Sequence, residues 1–188
     1  MQKRLVIFDF DSTLGKLDIP WDEVKKEALA LAEVYDIHID KNLHMMDISN
    51  ILSEYPDTRD AIHMMFIRYE SRCVESKAFE LYPEMLKLVK ELKAKGYSLA
   101  IASANCTLTI KNALSDAATL FDVIYGRDSV EKNKPNPEQL LKILTQLNIS
   151  KEEAIFIGDS VYDESAALAA GVDFFNVKEI QKLREMFL

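Results

Sequence analysis

Short apolar runs that alternate with helical segments are the feature that most constrains the fold of this chain. The runs lie at residues 5–8, 98–102, 121–125, 154–157 and 174–177. Runs of this length, rich in apolar and β-branched residues, are typical of strands buried on both faces of a parallel sheet. Helical patterns separate them, and strand–helix–strand connections in one sheet are right-handed crossovers. The pattern predicts an α/β fold with a doubly wound, Rossmann-like parallel sheet.

The segment between the first two runs departs from this alternation. It contains no strand pattern, but it has helical patterns at residues 20–34, 41–54 and 56–77. We therefore predict two domains, with a small helical cap at residues 15–79 inserted after the first strand. Residues 1–14 and 80–188 then form the α/β core domain.

Composition limits the partners and the compartment. The net charge of −8 argues against a nucleic-acid partner, because binding to phosphate backbones needs a basic face. No run reaches the ~18 apolar residues of a membrane span, and the N-terminal residues lack the apolar segment of a signal peptide. The two cysteines, Cys73 and Cys106, lie far apart, which favours buried thiols in a reducing compartment. We expect a cytoplasmic protein, a monomer or small homo-oligomer, with no membrane partner.

Polar and charged side chains follow the predicted strands. In chain order they are Asp9, Asp11, Ser103, Lys134, Asp159 and Asp163. Side chains alternate along an extended segment, so Asp9 and Asp11 point the same way. The carboxyl ends of the strands lie along one edge of such a sheet, where ligands bind. These side chains are therefore expected to share one crevice.

The aspartates in this crevice predict a bound cation. At an effective dielectric constant near 20, neighbouring carboxylates repel each other by about 4 kcal/mol per pair. The expected ligands are all oxygen atoms, with no histidine or cysteine at metal-binding spacing, which favours Mg²⁺. Mg²⁺ is typically bound by one or two carboxylates, by water and by a substrate phosphate. Lys134 provides a positive charge for that phosphate, so the predicted partner is a small phosphorylated metabolite.

Together these residues resemble the haloacid dehalogenase superfamily, in its phosphatase branch. The matching segments are Asp9-Phe-Asp-Ser-Thr13, Ser103, Lys134-Pro-Asn-Pro137 and Gly158-Asp-Ser-x-x-Asp163 with the small residues that follow. The last two are most similar to the phosphoglycolate phosphatase and β-phosphoglucomutase group. The resemblance covers residues 1–14 and 80–178, and the cap matches that group only in position and helical character.

The resemblance implies hydrolysis of a phosphomonoester through an aspartyl-phosphate. Asp9 would be the nucleophile, and Asp11 would protonate the leaving oxygen and then deprotonate the attacking water. Asp9 and Asp159 would bind Mg²⁺ through their carboxylates, and Asp11 would bind it through its backbone carbonyl.

The resemblance also implies how the phosphate is held. Thr13, Ser103, Ala104 and Lys134 would bind it, and Thr13 would also steady the loop that follows the first strand. Asp163 would orient Lys134 or a water bound to the metal.

Some departures and alternatives stay open at this point. Ser12 stands where the phosphoglycolate phosphatase group usually has glycine, and in this respect the first motif is more similar to phosphoserine phosphatases. Those enzymes, however, carry Ser-Gly-Gly where this chain has Ser103-Ala-Asn. A sugar phosphomutase of the same family shares the motifs and returns the phosphoryl group to a substrate hydroxyl. A non-enzymatic receiver-type signalling domain also places acids, a hydroxyl and a lysine at strand ends, although the insertion fits it poorly.

Two arginines of the predicted cap are candidates for substrate specificity. Arg68 and Arg72 are four residues apart on one helix face and could bind a substrate carboxylate. Pairing with Glu70 or Glu75, or exposure to solvent, is the alternative. The three histidines show no metal-binding spacing and predict no metal site.

Overall fold

The computed structural model describes residues 3–187. The strands are β1 (Leu5–Phe8), β2 (Gly15–Leu17), β3 (Phe79–Leu81), β4 (Ser98–Ala102), β5 (Val123–Tyr125), β6 (Ala154–Gly158) and β7 (Asp173–Asn176). The helices are α1 (Trp21–Val34), α2 (Met45–Glu54), α3 (Pro56–Glu75), α4 (Pro83–Ala94), α5 (Thr107–Leu114), α6 (Glu138–Leu147), α7 (Val161–Ala170) and α8 (Ile180–Phe187).

Five of the strands form one parallel sheet in the order β5-β4-β1-β6-β7. The central strand β1 is fully buried, as its uninterrupted apolar sequence predicts. Its last residue, Phe8, lies opposite Ile101 of β4 and Ile157 of β6. This arrangement confirms the predicted α/β fold with a Rossmann-like parallel sheet. It also brings the ends of β1, β4 and β6 side by side.

Small residues on α7 let that helix approach the sheet closely. Ala166, Ala167 and Ala170 are buried in the same apolar cluster as Ile7 and Phe156. A larger side chain at any of the three alanines would separate α7 from the sheet. The position of α7 matters because the helix begins directly after the acidic loop that follows β6.

The structure corrects several boundaries. The strands β2 and β3, with three residues each, were not predicted, and they pair with each other in a separate sheet. The helix α6 begins at Glu138, and Pro137 precedes it. The Asn136 side chain accepts a hydrogen bond of 3.0 Å from the Glu138 N–H, two residues on, as a capping side chain does. The Gln139 side chain donates to the Ser103 and Gly126 carbonyls.

The chain divides into two compact units. One takes the chain up to Lys16 and from Phe79 onward, and the other is Leu17–Ala78. The first contains the five-stranded sheet, and the second contains α1, α2 and α3. A hydrogen bond of 2.9 Å from the Asp18 N–H to the Ala78 carbonyl joins the two ends of the second unit. Within residues 3–187, no helix is long and apolar enough to cross a membrane.

Candidate active site

Asp9 extends β1 by one residue into the crevice at the sheet edge. Its N–H donates to the Ile157 carbonyl at 2.8 Å, which continues the pairing between β1 and β6. The side chain is buried and only 6% exposed. A buried carboxylate is costly unless it is paired and hydrogen-bonded, so its partners decide what the site can do.

Lys134 is the main partner of Asp9. Its ammonium group lies 2.8 Å from Asp9 Oδ1, 2.5 Å from Asp163 Oδ1 and 3.2 Å from the Ala102 carbonyl. The lysine is 3% exposed, and the two aspartates are also buried. The structure thus brings together three predicted site residues from distant parts of the sequence.

Asp163 binds Lys134 with one carboxylate oxygen and the start of its own helix with the other. Oδ1 contacts Lys134, while Oδ2 accepts from the Ser160 hydroxyl at 2.6 Å and from the Ser160 N–H at 3.1 Å. The Asp163 N–H donates back to the Ser160 hydroxyl, which completes a capping box at the start of α7. Gly158 leaves room for this arrangement, because a Cβ at that position would lie 2.7 Å from Asp163 side-chain atoms.

The shared burial sets the protonation of these groups. Burial raises the pKa of the Asp9 carboxyl to about 7, and the neighbouring Asp163 carboxylate adds to the rise while Lys134 opposes it. Burial by itself lowers the pKa of Lys134, but Asp163 and Asp9 outweigh it and the net shift is upward. Burial likewise raises the pKa of Asp163, but Lys134 and Ser160 bring it below the ordinary value. Lys134 therefore stays charged, and Asp163 is its more permanently ionised partner.

The turn after β4 holds Ser103 and Ala104 beside the end of β1. Ser103 is fully buried, and its hydroxyl donates to Asn105 Oδ1 at 3.1 Å and accepts from the Asn105 N–H at 3.3 Å. Ala104 is half-buried. Thr13 is also fully buried, and its hydroxyl has no hydrogen-bond partner in the described chain. An unsatisfied buried hydroxyl beside an acidic site is consistent with a ligand that the protein itself does not supply.

Asp11 and Asp159 are more accessible than Asp9. Both are intermediate in burial, and burial followed by the Asp163 carboxylate raises the pKa of Asp159. Tyr82, which the sequence did not mark as a site residue, lies close to this pair. Burial raises the pKa of its hydroxyl first, and the carboxylates of Glu80, Asp11 and Asp159 raise it further. Nothing in the sequence near Tyr82, which precedes the helix start at Pro83, could have indicated this position beside the acids.

Ser12, between the two acids of the first motif, has a backbone φ of 63°. This left-handed conformation is the one that glycine adopts at no steric cost. The glycine usual at this position in the phosphoglycolate phosphatase group therefore has a physical explanation, and Ser12 adopts the same turn with some strain.

The acid cluster fits a divalent cation. Asp9, Asp159 and Asp163 each offer a carboxylate oxygen, and these atoms lie within 4.8 Å of one another. With one ammonium group, Lys134, among three carboxylates, the fully ionised cluster has a net charge of −2. An oxygen-only donor set with excess negative charge is the kind that Mg²⁺ prefers. The cluster includes Asp163, which the resemblance assigns to orienting Lys134 or a water bound to the metal, and that assignment stays a prediction.

The two candidate specificity arginines, Arg68 and Arg72, lie in the helical unit. Arg68 Nη2 is 2.5 Å from both carboxylate oxygens of Glu27, and the Tyr69 hydroxyl donates to the same carboxylate. Arg72 lies with its guanidinium carbon 5.8 Å from the Tyr69 ring centroid. Arg68 thus has an acidic partner from another helix, neither Glu70 nor Glu75. Its role in specificity stays a prediction, as does that of Arg72.

Comparison with protein families decides the affiliation of the chain. The family model of the haloacid dehalogenase-like hydrolases matches residues 6–177, which include both the sheet and the helical unit. The chain belongs to this family. The resemblance inferred from the motifs is therefore confirmed.

Curated haloacid dehalogenase-like relatives point to one group within the family. A phosphoglycolate phosphatase from Salmonella paratyphi A is 35% identical over 112 residues, which are 58% of this chain and 44% of that protein. The phosphoglycolate phosphatase of Escherichia coli K12 is 33% identical over the same shares. The chain thus spans less than half the length of the curated relatives that it matches.

Solved structures of this family show the same fold. A Lactobacillus plantarum protein assigned to the phosphoglycolate phosphatases superimposes with a TM-score of 0.69 and 26% identity, over 94% of this chain and 87% of that one. CbbY from Rhodobacter sphaeroides, solved in complex with phosphate, superimposes with a TM-score of 0.64 over 93% and 86% of the chains. Its identity of 21% supports the fold alone.

Proposed function

We propose that this haloacid dehalogenase-like hydrolase catalyses the Mg²⁺-dependent hydrolysis of a small soluble phosphomonoester. The observation that carries the proposal is the buried Asp9 at the end of β1, held by Lys134 within a cluster of carboxylates. The similarity to phosphoglycolate phosphatases supports phosphoglycolate as the first substrate to test.

In the proposed reaction an Asp9 carboxylate oxygen attacks the substrate phosphorus. A new O–P bond forms, the ester P–O bond breaks, and Asp11 gives its proton to the leaving oxygen. A water molecule then attacks the phosphorus of the aspartyl-phosphate, and Asp11 takes its proton. An O–P bond to the water oxygen forms as the bond between phosphorus and the Asp9 oxygen breaks, which releases inorganic phosphate and restores the Asp9 carboxylate.

The other site residues are proposed to hold the transferred group. Lys134, the Ser103 hydroxyl, the Ala104 N–H and the Thr13 hydroxyl would bind the phosphoryl oxygens. Fixed donors of this kind stabilise the charge that develops on those oxygens in the transition state. Asp163 would keep Lys134 charged and in place, which agrees with the raised pKa of the lysine.

Asp9 and Asp159 would bind the metal through their carboxylates and Asp11 through its backbone carbonyl. When bound, Mg²⁺ neutralises phosphate charge and orients the group for in-line attack. Asp163, which is committed to Lys134 and Ser160, would orient these groups from outside the metal's own ligands. Residues 15–79 are proposed to act as a cap that contributes contacts to the leaving group, with Arg68 and Arg72 as candidates for them.

The central test separates the two acids of the first motif. Asp9→Asn is expected to abolish phosphate release and any phosphoprotein, because an amide cannot act as the nucleophile. Asp11→Asn is expected to slow turnover about 10²- to 10⁴-fold, since it removes one positioned acid–base group. It should still accumulate phosphoprotein from p-nitrophenyl phosphate, whose leaving group needs little protonation. Phosphoprotein in the Asp9 variant and none in the Asp11 variant would reverse the proposed roles.

The same assay examines the alternatives. A hexose 1-phosphate that yields an isomeric sugar phosphate in place of inorganic phosphate would establish the phosphomutase. A long-lived phosphate on Asp9 with no turnover would establish the signalling role. Undiminished activity after chelation of divalent cations would remove Mg²⁺ from the proposal.

A further inference from the structure

The turn after β4 is held from behind by residues that the site motifs do not include. The Ser103 carbonyl accepts a hydrogen bond of 2.8 Å from Gln139 Nε2. The Ala104 carbonyl accepts one from Arg127 Nη1, and the Asn105 carbonyl accepts one of 2.9 Å from the Arg127 N–H. Three successive carbonyls of the turn therefore face donors supplied by Arg127 and Gln139.

These contacts can be compared with what a continuing strand would do. Along a strand, the N–H and carbonyl of one residue point to one side and those of the next residue point to the other. At the end of β4, the Ala102 carbonyl faces Lys134, whereas the Ser103 N–H donates to the Tyr125 carbonyl of β5. The Ser103 carbonyl keeps to the β5 side, where Gln139 binds it.

The alternation stops at Ala104. Because a peptide unit is planar and trans, the Ala104 N–H points opposite to the Ser103 carbonyl, toward the side of Asp9 and Lys134. In a continuing strand the Ala104 carbonyl would point to that side as well. It is turned back instead, and it accepts from Arg127. The turn therefore presents an N–H to the Asp9 side without the carbonyl that a strand would place beside it.

This difference matters for an anion. A peptide N–H attracts a phosphate oxygen, while a carbonyl oxygen at the same place repels it. Both residues that enforce the arrangement are buried, Arg127 at 8% exposed and Gln139 at 0%. Burying an arginine is costly, and here the guanidinium satisfies a carbonyl that would otherwise face the phosphate.

The backbone around Arg127 is packed tightly enough to hold the turn. A Cβ at Gly126 would lie 2.3 Å from the Thr107 nitrogen and 2.4 Å from the Asn105 carbonyl oxygen, so only glycine permits this approach. Asp128 adds a second connection, because its Oδ1 accepts from the Thr107 N–H at 2.7 Å. The segment after β5 and the turn after β4 are thus held firmly against each other.

We propose that Arg127 and Gln139 are positioning residues for phosphate binding. Gln139 fixes the direction of the Ala104 N–H, and Arg127 keeps the Ala104 carbonyl away from the phosphate. This inference rests on the proposed function, since it concerns the same phosphate site.

The test measures binding of inorganic phosphate to the Mg²⁺-loaded protein by calorimetry, with Mg²⁺ binding alone as a second readout. Arg127→Met removes the donor and keeps the apolar stem. It is expected to raise the Kd for phosphate about tenfold, the size of one hydrogen bond to a charged group, and to leave the Kd for Mg²⁺ unchanged. Arg127→Lys, which retains a donor, should recover part of the loss. Arg184→Met is the matched control, because Arg184 is a half-buried arginine that pairs with Glu91.

Gln139→Met is the second variant, and it carries the test if Arg127→Met does not fold. It is also expected to raise the Kd for phosphate about tenfold. The inference would be overturned if both variants bound phosphate with the Kd of the parent protein. It would also be overturned if Mg²⁺ binding weakened as much as phosphate binding, because that result indicates general damage. Arg127→Lys binding no better than Arg127→Met would also overturn it. A parent protein that neither binds nor releases phosphate would instead refute the proposed function.

Discussion

Two ion pairs of equal length lie in the two units of this molecule. Arg68 and Glu27 in the helical unit approach to 2.5 Å, and so do Lys134 and Asp163 at the sheet edge. The side chains of the first pair are 46% and 41% exposed, and those of the second are 4% and 1% exposed. Length alone therefore says little about what either pair contributes.

The difference lies in what replaces a lost partner. Water can solvate Glu27 when Arg68 is removed, so an exposed pair contributes little to stability. No water replaces Lys134 as readily, and its removal leaves Asp9 and Asp163 as uncompensated buried acids. The buried lysine is thus part of the fold as well as of the proposed chemistry.

The largest expected effect comes from Lys134→Met, which keeps the volume and removes the charge. We expect a loss of about 3–5 kcal/mol in the free energy of unfolding, measured by urea denaturation at neutral pH. Lys93→Met is the control, because Lys93 forms a half-exposed pair of 2.7 Å with Asp122. A Lys134 variant no less stable than the control would end the distinction between the two kinds of pair.

Much of this site could be predicted from the sequence because strand ends are readable. The apolar run of β1 fixes where Asp9 lies, and the run of β6 does the same for Asp159. Parallel pairing then brings the acids together without any knowledge of side-chain contacts. Lys134 follows no strand directly, and only its motif indicated its place.

The residues that were missed act through contacts that have no periodic signal. Arg127 and Gln139 are ordinary polar residues in sequence, and their function depends on which carbonyls the folded chain leaves beside them. Arg68 could not be assigned to Glu27, because that pairing depends on how α1 packs against α3. The strands β2 and β3 are three residues long, which is too short for an alternating pattern to stand out.

A smaller effect is expected from Gly158→Ala, which tests the space that Gly158 leaves for Asp163 in the buried pair with Lys134. The added Cβ would lie 2.7 Å from Asp163, so the aspartate must move away from Lys134 or the strand must shift. Overpacking of this kind costs about 1–3 kcal/mol. Urea denaturation measures the loss, and phosphate release should fall with it because Asp163 is proposed to orient Lys134. Unchanged stability together with full activity would show that the buried pair tolerates displacement.

The smallest effect is expected from Arg68→Met in the exposed pair. The hydrogen bond from Arg68 holds the pKa of Glu27 below its usual value. The pair therefore makes its full contribution to stability when the pH is above that usual value. It is lost as the pH falls through the lower pKa of the folded protein. We expect a slight decrease in Tm at neutral pH and low salt, which disappears in acid and at about 1 M salt, where screening is strong. A Tm difference that persists under both conditions would show that Arg68 contributes by packing.

The hydrogen bond between Asp18 and Ala78 has a consequence for how such a protein can change over time. The two ends of the segment between them lie next to each other. The segment is therefore attached to the rest of the chain in the way that a short loop is. A segment whose ends meet can lengthen, shorten or be exchanged for another without altering the register of the strands on either side. If residues 15–79 act as the proposed cap, substrate preference can diversify through replacement of this whole segment while the proposed site at the sheet edge is inherited intact.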